Sequence, residues 1–193
     1  AESSRTKGIS VSGEFDDMTI KDNTVTGISA PANDSTVLGI TLTENPPVSG
    51  VDPDNDGTNE RIGPKNFVIE RNDIDNLTGQ SGRISALFVG GYEDIGDNHD
   101  VHFNNFLSGA VSRIFYDQGG FDESDADRLT AECNYWGHAT GPENEDNPQG
   151  KGQPVVGEVD YRPWSVRKIG QGENPEKSCV GGKNDDKGKG QSN

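Results

Sequence analysis

The sequence predicts an all-β chain in which short parallel strands stack as the rungs of a solenoid. Its apolar residues come in short clusters separated by Gly, Asn, Asp and Pro, which is typical of many short strands joined by turns. No stretch shows sustained helical periodicity. Four segments repeat one spacing of apolar residues around an asparagine, and such an internal repeat indicates stacked units.

Length and charge limit the possible functions. The 193 residues suffice for one domain, or for one domain with a tail. The 17 basic and 33 acidic residues give a net charge of −16, which argues against nucleic acids and anionic membranes as partners. No transmembrane stretch stands out, so no membrane insertion is expected. The acids are spread along the chain and Lys is scarce before residue 170, which favours a salt-adapted protein, haloarchaeal or from another halophile, over an ordinary acidic secreted one.

The repeat consists of an apolar residue, two variable residues, an asparagine, one variable residue and a second apolar residue. It occurs without gaps as MTIKDNTVTG from residue 18, FVIERNDIDN from 67, HDVHFNNFLS from 99 and LTAECNYWGH from 129. Its asparagines, spaced by 49, 32 and 30 residues, are Asn23, Asn72, Asn104 and Asn134. A further β-type cluster precedes each repeat, so each period near 30 residues holds two strands, and the first interval contains an insertion.

Stacking follows from the size of the repeat. One repeat cannot bury its own apolar face, so the repeats must lie against one another. The four asparagines then lie above one another at a tight corner, where Asn tolerates a left-handed backbone. Their amides can bond along the stack as an asparagine ladder. The alternative is a β-sandwich whose Asn turns coincide by chance.

The closing segment carries a family resemblance. NYWGHATGP at 134–142, followed by GQPVVGEVDYRPW at 152–164, resembles the last rung of right-handed parallel β-helix proteins of the pectin-lyase-like fold, which occur in secreted and surface proteins of bacteria and archaea. The resemblance covers about residues 8–166 and implies a right-handed parallel β-helix of about four rungs with a C-terminal capping segment. It does not imply one activity, because lyases, hydrolases, epimerases and adhesins share this fold.

The predicted organisation has two parts. Residues 1–169 form the β-helix, with an acidic loop insertion near 50–64 and a closing cap over 135–166, and residues 170–193 form a flexible polar tail. Trp136 takes the position of the second apolar residue of the repeat and can plug the end of the core. The inward residues expected in the returning strand are Val156, Val159, Tyr161 and Trp164. No cap precedes the first rung, so we expect a bare edge there, covered by a preceding domain or by self-association.

The clearest chemical motif is VDPDNDGTNERIG at 51–63. Carboxylates at alternate positions followed by a glycine turn supply the converging oxygens that calcium requires. The motif resembles the DxDxDG loops of thrombospondin type 3 repeats, although position twelve is Gly63 and not the Glu of an EF-hand. The predicted calcium ligands are Asp52, Asp54, Asp56 and Glu60. The alternative is a solvated acidic loop.

Cysteines and aromatics give further candidates. Cys133 and Cys179 can form one disulfide, which fits an extracellular protein, or they can remain free thiols. Three rings could form a carbohydrate platform, although a structural role is the stronger interpretation: Tyr135, Tyr161 and Trp164. DNHDVH brings His99, Asp100 and His102 together, but a zinc site would require a further ligand that the sequence does not identify.

Three functions remain open at this point. The first is a structural or adhesive module, extracellular or at the cell surface, that contacts glycans or other surface proteins. The second is a polysaccharide lyase or hydrolase, in which Arg71, Arg83 or Arg113 could serve as the base, while the many carboxylates show no distinctive catalytic pair. The third is a subunit that assembles end to end through the first rung. Catalytic residues are therefore not assigned, and an enzyme is the less favoured class.

Overall fold

A computed structural model describes residues 5–30, 36–43, 63–79, 84–90, 95–114, 128–170 and 172–182. Within these residues the chain is almost entirely β, as predicted, with one 3-10 helix at Pro175–Ser178. No helix among them is long and apolar enough to cross a membrane. The strands are β1 (Arg5–Ser12), β2 (Thr19–Lys21), β3 (Thr24–Thr26), β4 (Thr36–Thr43), β5 (Val68–Glu70), β6 (Asp73–Asp75), β7 (Ile84–Gly90), β8 (Asp100–His102), β9 (Asn105–Phe106), β10 (Ala110–Ile114), β11 (Leu129–Thr130), β12 (Pro142–Glu143), β13 (Gly152–Gly157), β14 (Val159–Asp160), β15 (Trp164–Ser165) and β16 (Cys179–Gly181).

The longest sheet is parallel throughout, in the order β1-β4-β7-β10-β13-β12. We call it the long sheet. Equivalent residues of successive strands lie in register along it. One such column is apolar across five strands and runs through Ile9, Ile40, Leu87, Val111 and Val155. Its three middle members have no exposed surface, so this column forms one wall of the core.

Two three-stranded parallel sheets complete the core. The second sheet has the order β2-β5-β8 and the third sheet has the order β3-β6-β9. Their strands have only two or three residues, so the apolar residue of each repeat is its inward one. The resulting in-register columns are Ile20, Ile69 and Val101 in the second sheet, and Val25, Ile74 and Phe106 in the third.

The chain visits the three sheets in a fixed order. From β1 to β10 it passes from the long sheet to the second sheet, then to the third, and returns to the long sheet one strand further along, so each pass lies beside the preceding one in parallel. After β10 the order changes, because β11 pairs with β14 and because β13, rather than β12, lies beside β10. The all-β class and the parallel sheets are confirmed, and the path is compatible with a β-helix-like solenoid.

Aromatic side chains fill the C-terminal end of the core. Trp136 has no exposed surface, and its ring centroid lies 5.3 Å from Phe106 and 6.4 Å from Tyr161. Tyr161 in turn lies 6.2 Å from Trp164. One inward residue was predicted wrongly: Val156 is 45% exposed, whereas Val155 is 8% exposed. Val155 is the residue in register with the buried Val111, so its neighbour points outward.

The segment after the cap is structured at least as far as residue 182. Strand β16 pairs antiparallel with β15, and the 3-10 helix precedes it. Pro175, Ser178 and Cys179 are buried, and the Ser178 hydroxyl lies 2.8 Å from the Ser165 hydroxyl. The prediction of a flexible tail from residue 170 is therefore wrong for 172–182, because small and apolar residues there pack on the end of the stack. Residues 183–193 lie outside the described residues.

Candidate functional site

The four repeat asparagines lie at the corner between the second and third sheets and are joined by hydrogen bonds. The side-chain amide of Asn23 donates to Oδ1 of Asn72 at 3.0 Å, that of Asn72 to Asn104 at 2.9 Å, and that of Asn104 to Asn134 at 3.0 Å. Each Oδ1 also accepts the backbone N–H of the preceding ladder asparagine, at 3.0, 3.0 and 2.8 Å. The last three asparagines have no exposed surface, so these bonds form in a medium of low dielectric constant and fix the corner.

The left-handed backbone at this corner belongs to the residue before each asparagine. Asp22, Arg71, Phe103 and Cys133 have φ angles of 56°, 54°, 57° and 57°. The prediction that the asparagines themselves take this conformation is wrong by one residue. The asparagine amide must reach along the stack, so the preceding residue makes the turn. Three of these four turn residues line a groove.

This corner groove has a volume of about 610 Å³. One side consists of the turn residues Asp22, Arg71 and Phe103 together with Asp73 and Asn105 of the third sheet. The other side, which we call the C-terminal wall, consists of Lys168, Ile169, Gly170, Gly172 and Glu173. The groove therefore lies where a segment far along the chain returns to the ladder corner.

Polar contacts hold the C-terminal wall in place. The side chain of Asn105 is 3% exposed and forms two hydrogen bonds with the backbone of Ile169. Its Nδ2 donates to the Ile169 carbonyl and its Oδ1 accepts the Ile169 N–H, both at 2.9 Å. Lys168 Nζ lies 3.2 Å from Asp73 Oδ2, and Arg167 lies 3.6 Å from Glu173. The wall is thus held against the third sheet by one buried amide and one exposed ion pair, and the pair of Arg167 with Glu173 joins residues within the returning segment.

Phe103 gives the corner groove an aromatic surface. Its ring is partly exposed, the Arg71 guanidinium lies 6.0 Å from its centroid, and His102 contacts it edge-on at 4.6 Å. A bulky residue with positive φ is uncommon and costs free energy, so it persists only where the surroundings impose it. Here the ladder imposes the backbone, and the ring is presented to the groove.

A column of charged residues follows the outer face of the second sheet. Lys21, Glu70 and His102 are neighbours in register, and Lys21 forms an ion pair with Glu70. His102 lies between two carboxylates: Nε2 is 3.1 Å from Glu70 Oε2, and Nδ1 is 2.8 Å from Asp100 Oδ2. Asp100, with Glu70 adding to it, raises the pKa of His102 above 6.5 despite its partial burial. Lys21 above all, and His102 after it, lower the pKa of Glu70 below 4.5.

Glu132 lies beyond this column, near the capped end of the stack. Burial raises its pKa above 4.5, and the nearby carboxylates of Asp160 and Asp100 raise it further. This carboxyl group therefore binds a proton more readily than a solvated one. No group of three or more His, Cys, Asp or Glu residues is arranged to hold a metal ion within the described parts of the chain.

The predicted carbohydrate platform does not form. Tyr161 and Trp164 are each 5% exposed, because they pack against each other at the end of the core. Neither ring offers a free face, and only Tyr135 of the three is partly exposed. Among the described residues, the aromatic side chain that lines the corner groove is that of Phe103, and the sequence does not mark it because it occupies a variable position of the repeat.

The remaining candidates have separate positions. Cys133 and Cys179 are joined by a disulfide across 46 residues of sequence, between the last ladder corner and β16. The predicted calcium ligands Asp52, Asp54, Asp56 and Glu60 lie outside the described residues. His99 is not directed towards His102: its ring nitrogens contact the carbonyls of Gly96 and Arg128.

The three arginines considered as catalytic bases lie in different parts of the chain. Arg71 lies in the corner groove, Arg113 is 1% exposed and thus withdrawn from solvent, and Arg83 lies outside the described residues. The repeat spacing marks only one side of the groove, since the residue before each ladder asparagine faces away from the core. Comparison with known proteins gives no matching family model, no matching curated protein and no matching solved structure.

Proposed function

We propose that this chain is a right-handed parallel β-helix module of the pectin-lyase-like type, with a structural or adhesive role outside the cell or at its surface. The in-register parallel sheets and the asparagine ladder support the β-helix. The disulfide supports an oxidising compartment, because such bonds are rare in the cytosol. The proposed ligand is a glycan chain held in the corner groove.

The corner groove is the observation that carries this proposal. Sugars present C–H faces that pack on aromatic rings and hydroxyl groups that bond to carboxylates, amides and guanidinium groups. Phe103 provides the ring, and Asp22, Asp73 and Arg71 provide the polar groups around it. The ion pair of Lys168 with Asp73 shows that charges across the groove compensate each other locally, so an uncharged polysaccharide fits better than a strongly anionic one.

Binding to immobilised polysaccharides tests the proposal. Phe103→Asn removes the ring while keeping a residue that tolerates positive φ, so the corner is preserved. We expect retention on a neutral polysaccharide to weaken about tenfold, or about 1.4 kcal/mol. Val180→Asn is the control, because Val180 of β16 is an apolar residue that is 50% exposed and does not line the groove. Equal retention of both variants would contradict a role of the corner groove in glycan binding.

A second candidate is a polysaccharide lyase, and Arg71 favours it. A lyase requires a basic residue near the substrate, and Arg71 and Lys168 both line the groove beside Asp22, Asp73 and Glu173. The discriminating measurement is the ultraviolet absorbance of unsaturated products from acidic polysaccharides, with and without calcium, together with reducing ends to detect hydrolysis. Cleavage that is abolished by Arg71→Gln would establish the enzyme. Binding without cleavage would favour the adhesive module.

Calcium and salt are further parts of the proposal. The loop with Asp52, Asp54, Asp56 and Glu60 is proposed to bind calcium, and the net charge of −16 is proposed to reflect adaptation to strong salt. A ligand of the native state raises the unfolding midpoint by mass action, so removing calcium with a chelator should lower it. Asp54→Asn with Asp56→Asn should remove this dependence. An unfolding midpoint that does not change with chelator would reject the calcium site. An unfolding midpoint that does not change between low and multimolar salt would reject the salt adaptation.

A further inference from the structure

Among the described residues, the stack is open at its first strands. Strand β1 is the outermost strand of the long sheet, and β2 and β3 are the outermost strands of the second and third sheets. Within the described residues, no strand pairs with the outer edge of any of the three. An edge of eight residues presents a row of backbone donors and acceptors that can pair with another chain.

Apolar side chains at this end are incompletely covered. Ile9, Val11, Met18 and Ile28 are only partly buried, although they pack against the core. Phe15, in the turn after β1, is 50% exposed. The open end therefore combines a hydrogen-bonding edge with an apolar surface, which is the composition of a strand-pairing interface.

Charge is distributed unevenly along this edge. The beginning of β1 carries Arg5 and Lys7, and the turn that follows the strand carries Glu14, Asp16 and Asp17, all three exposed. If another β1 lay antiparallel to this one, each basic beginning would lie beside the acidic turn of the partner. A parallel partner would place like charges together.

We propose that a second copy of this chain pairs antiparallel with β1 about a twofold axis. The interface is isologous, so the favourable pairing of basic and acidic ends occurs twice. This contact does not rest on the glycan proposal, because no residue of β1 lines the corner groove. It gives a closed dimer with the two capped ends pointing away from each other.

Sedimentation of the full chain over a concentration series, at low salt and at about 1 M salt where the Debye length is about 3 Å, tests the proposal. The two salt conditions matter because two bodies of net charge −16 repel each other at long range. We expect a dimer in at least one of them. A monomer at every concentration and in both salts would overturn the proposal.

Charge reversal tests the orientation. Arg5→Glu and Glu14→Arg should each weaken dimerisation at least tenfold, because each places like charges together at both ends of the interface. An equimolar mixture of the two variants should restore a heterodimer, because each reversed charge then meets its opposite. Glu176→Arg, an exposed reversal in the 3-10 helix far along the chain, is the control and should leave dimerisation unchanged. Circular dichroism checks that all variants fold, and a dimer that ignores both edge variants would contradict the interface.

Discussion

The two ends of the stack differ in how they cover the same core. At the C-terminal end Trp136 has no exposed surface, Tyr161 and Trp164 are 5% exposed, and a disulfide ties the last ladder corner to β16. At the first strands Phe15 is 50% exposed. Both ends pose one problem, since a stacked sheet exposes apolar side chains and unpaired backbone groups at its last strand. The C-terminal end solves it within the chain.

This difference shows where stability and interaction can reside in a repeat architecture. Interior repeats have neighbours on both sides, so their side chains are fixed by register alone. The terminal repeats have one neighbour and depend on special residues. Substitutions at the capped end should therefore unfold the chain, whereas substitutions at the open end should change its association and leave the fold intact.

The largest difference in unfolding free energy is expected between two substitutions that replace an aromatic residue with alanine. Trp136→Ala leaves a cavity against Phe106 and should cost about 3–5 kcal/mol of unfolding free energy. Phe15→Ala removes a half-exposed ring at the open end and should cost no more than about 0.5 kcal/mol. Urea denaturation of both variants, monitored by fluorescence, measures the difference. Similar losses would mean that the open end is as tightly packed as the cap.

The disulfide should provide the next largest effect. Cys133→Ser with Cys179→Ser opens a loop of 46 residues and should cost about 2–4 kcal/mol, since the cross-link restricts the unfolded chain. Wild-type chain treated with a thiol reductant should lose the same amount. Proteolysis should then cut first within 172–182, because β16 and its helix hold only to the capped end. If cleavage began at β1 instead, the open end would be the weaker one in the absence of the disulfide.

Two substitutions in the asparagine ladder compare the free energy of unfolding lost in the interior of the stack with that lost at its open end. Asn104→Ala removes the acceptor of the buried Asn72 N–H, whereas the Asn72 side-chain amide keeps the carbonyls of Ile20 and Glu70 as acceptors. The substitution also takes the Asn104 amide away from the Ile69 carbonyl, so it should cost roughly 2–3 kcal/mol. Asn23→Ala, at the open end, takes one donor from Asn72 Oδ1 and one from the Lys21 carbonyl but leaves no buried donor unpaired, so it should cost about 1 kcal/mol. Thermal unfolding ranks the two variants, and equal losses would contradict the dependence on position.

The sequence predicted the parts of this molecule that follow from periodicity. Asn23, Asn72, Asn104 and Asn134 were found from spacing alone, because a stack repeats its contacts at a constant interval. Spacing also placed Trp136 in the column of Phe106. The short returning strand was harder: an alternation over a few residues fits two phases, so Val156 was predicted inward in place of Val155.

The corner groove could not be predicted in the same way. It requires the C-terminal wall to return to the ladder, and that return depends on one buried amide, Asn105, pairing with Ile169 across 64 residues of sequence. Asn105 follows the ladder asparagine and occurs in one repeat only, so no recurrence marks it. The tail around residues 172–182 was predicted to be flexible for a related reason: its few buried residues are small and show no period.

The smallest expected effect concerns pH. The folded pKa of His102 is raised above 6.5, so its stabilising contribution is complete below that value and is lost as pH rises through the folded pKa. The folded pKa of Glu70 is lowered below 4.5, so its contribution is complete above 4.5 and is lost as pH falls through the folded pKa. The charged column therefore stabilises most between these two values, by no more than about 1 kcal/mol for such partly exposed pairs.

Three variants separate the contributions of His102, Glu132 and Lys21 when the free energy of unfolding is measured against pH. His102→Gln should remove the part of the decline above pH 6.5 that belongs to the imidazole. Glu132, whose pKa is raised by burial, should still give a decline above 4.5 in that variant, and Glu132→Gln should abolish it. Lys21→Ala removes the group that does most to lower the pKa of Glu70, so it should change the acid limb more than the other two substitutions do. The change should be less than about 1 kcal/mol, because the Lys21 side chain is 47% exposed. If Lys21→Ala left the acid limb unchanged, the ion pair with Glu70 at the open end would contribute no stability, and the contrast between the two ends would extend from packing to electrostatics.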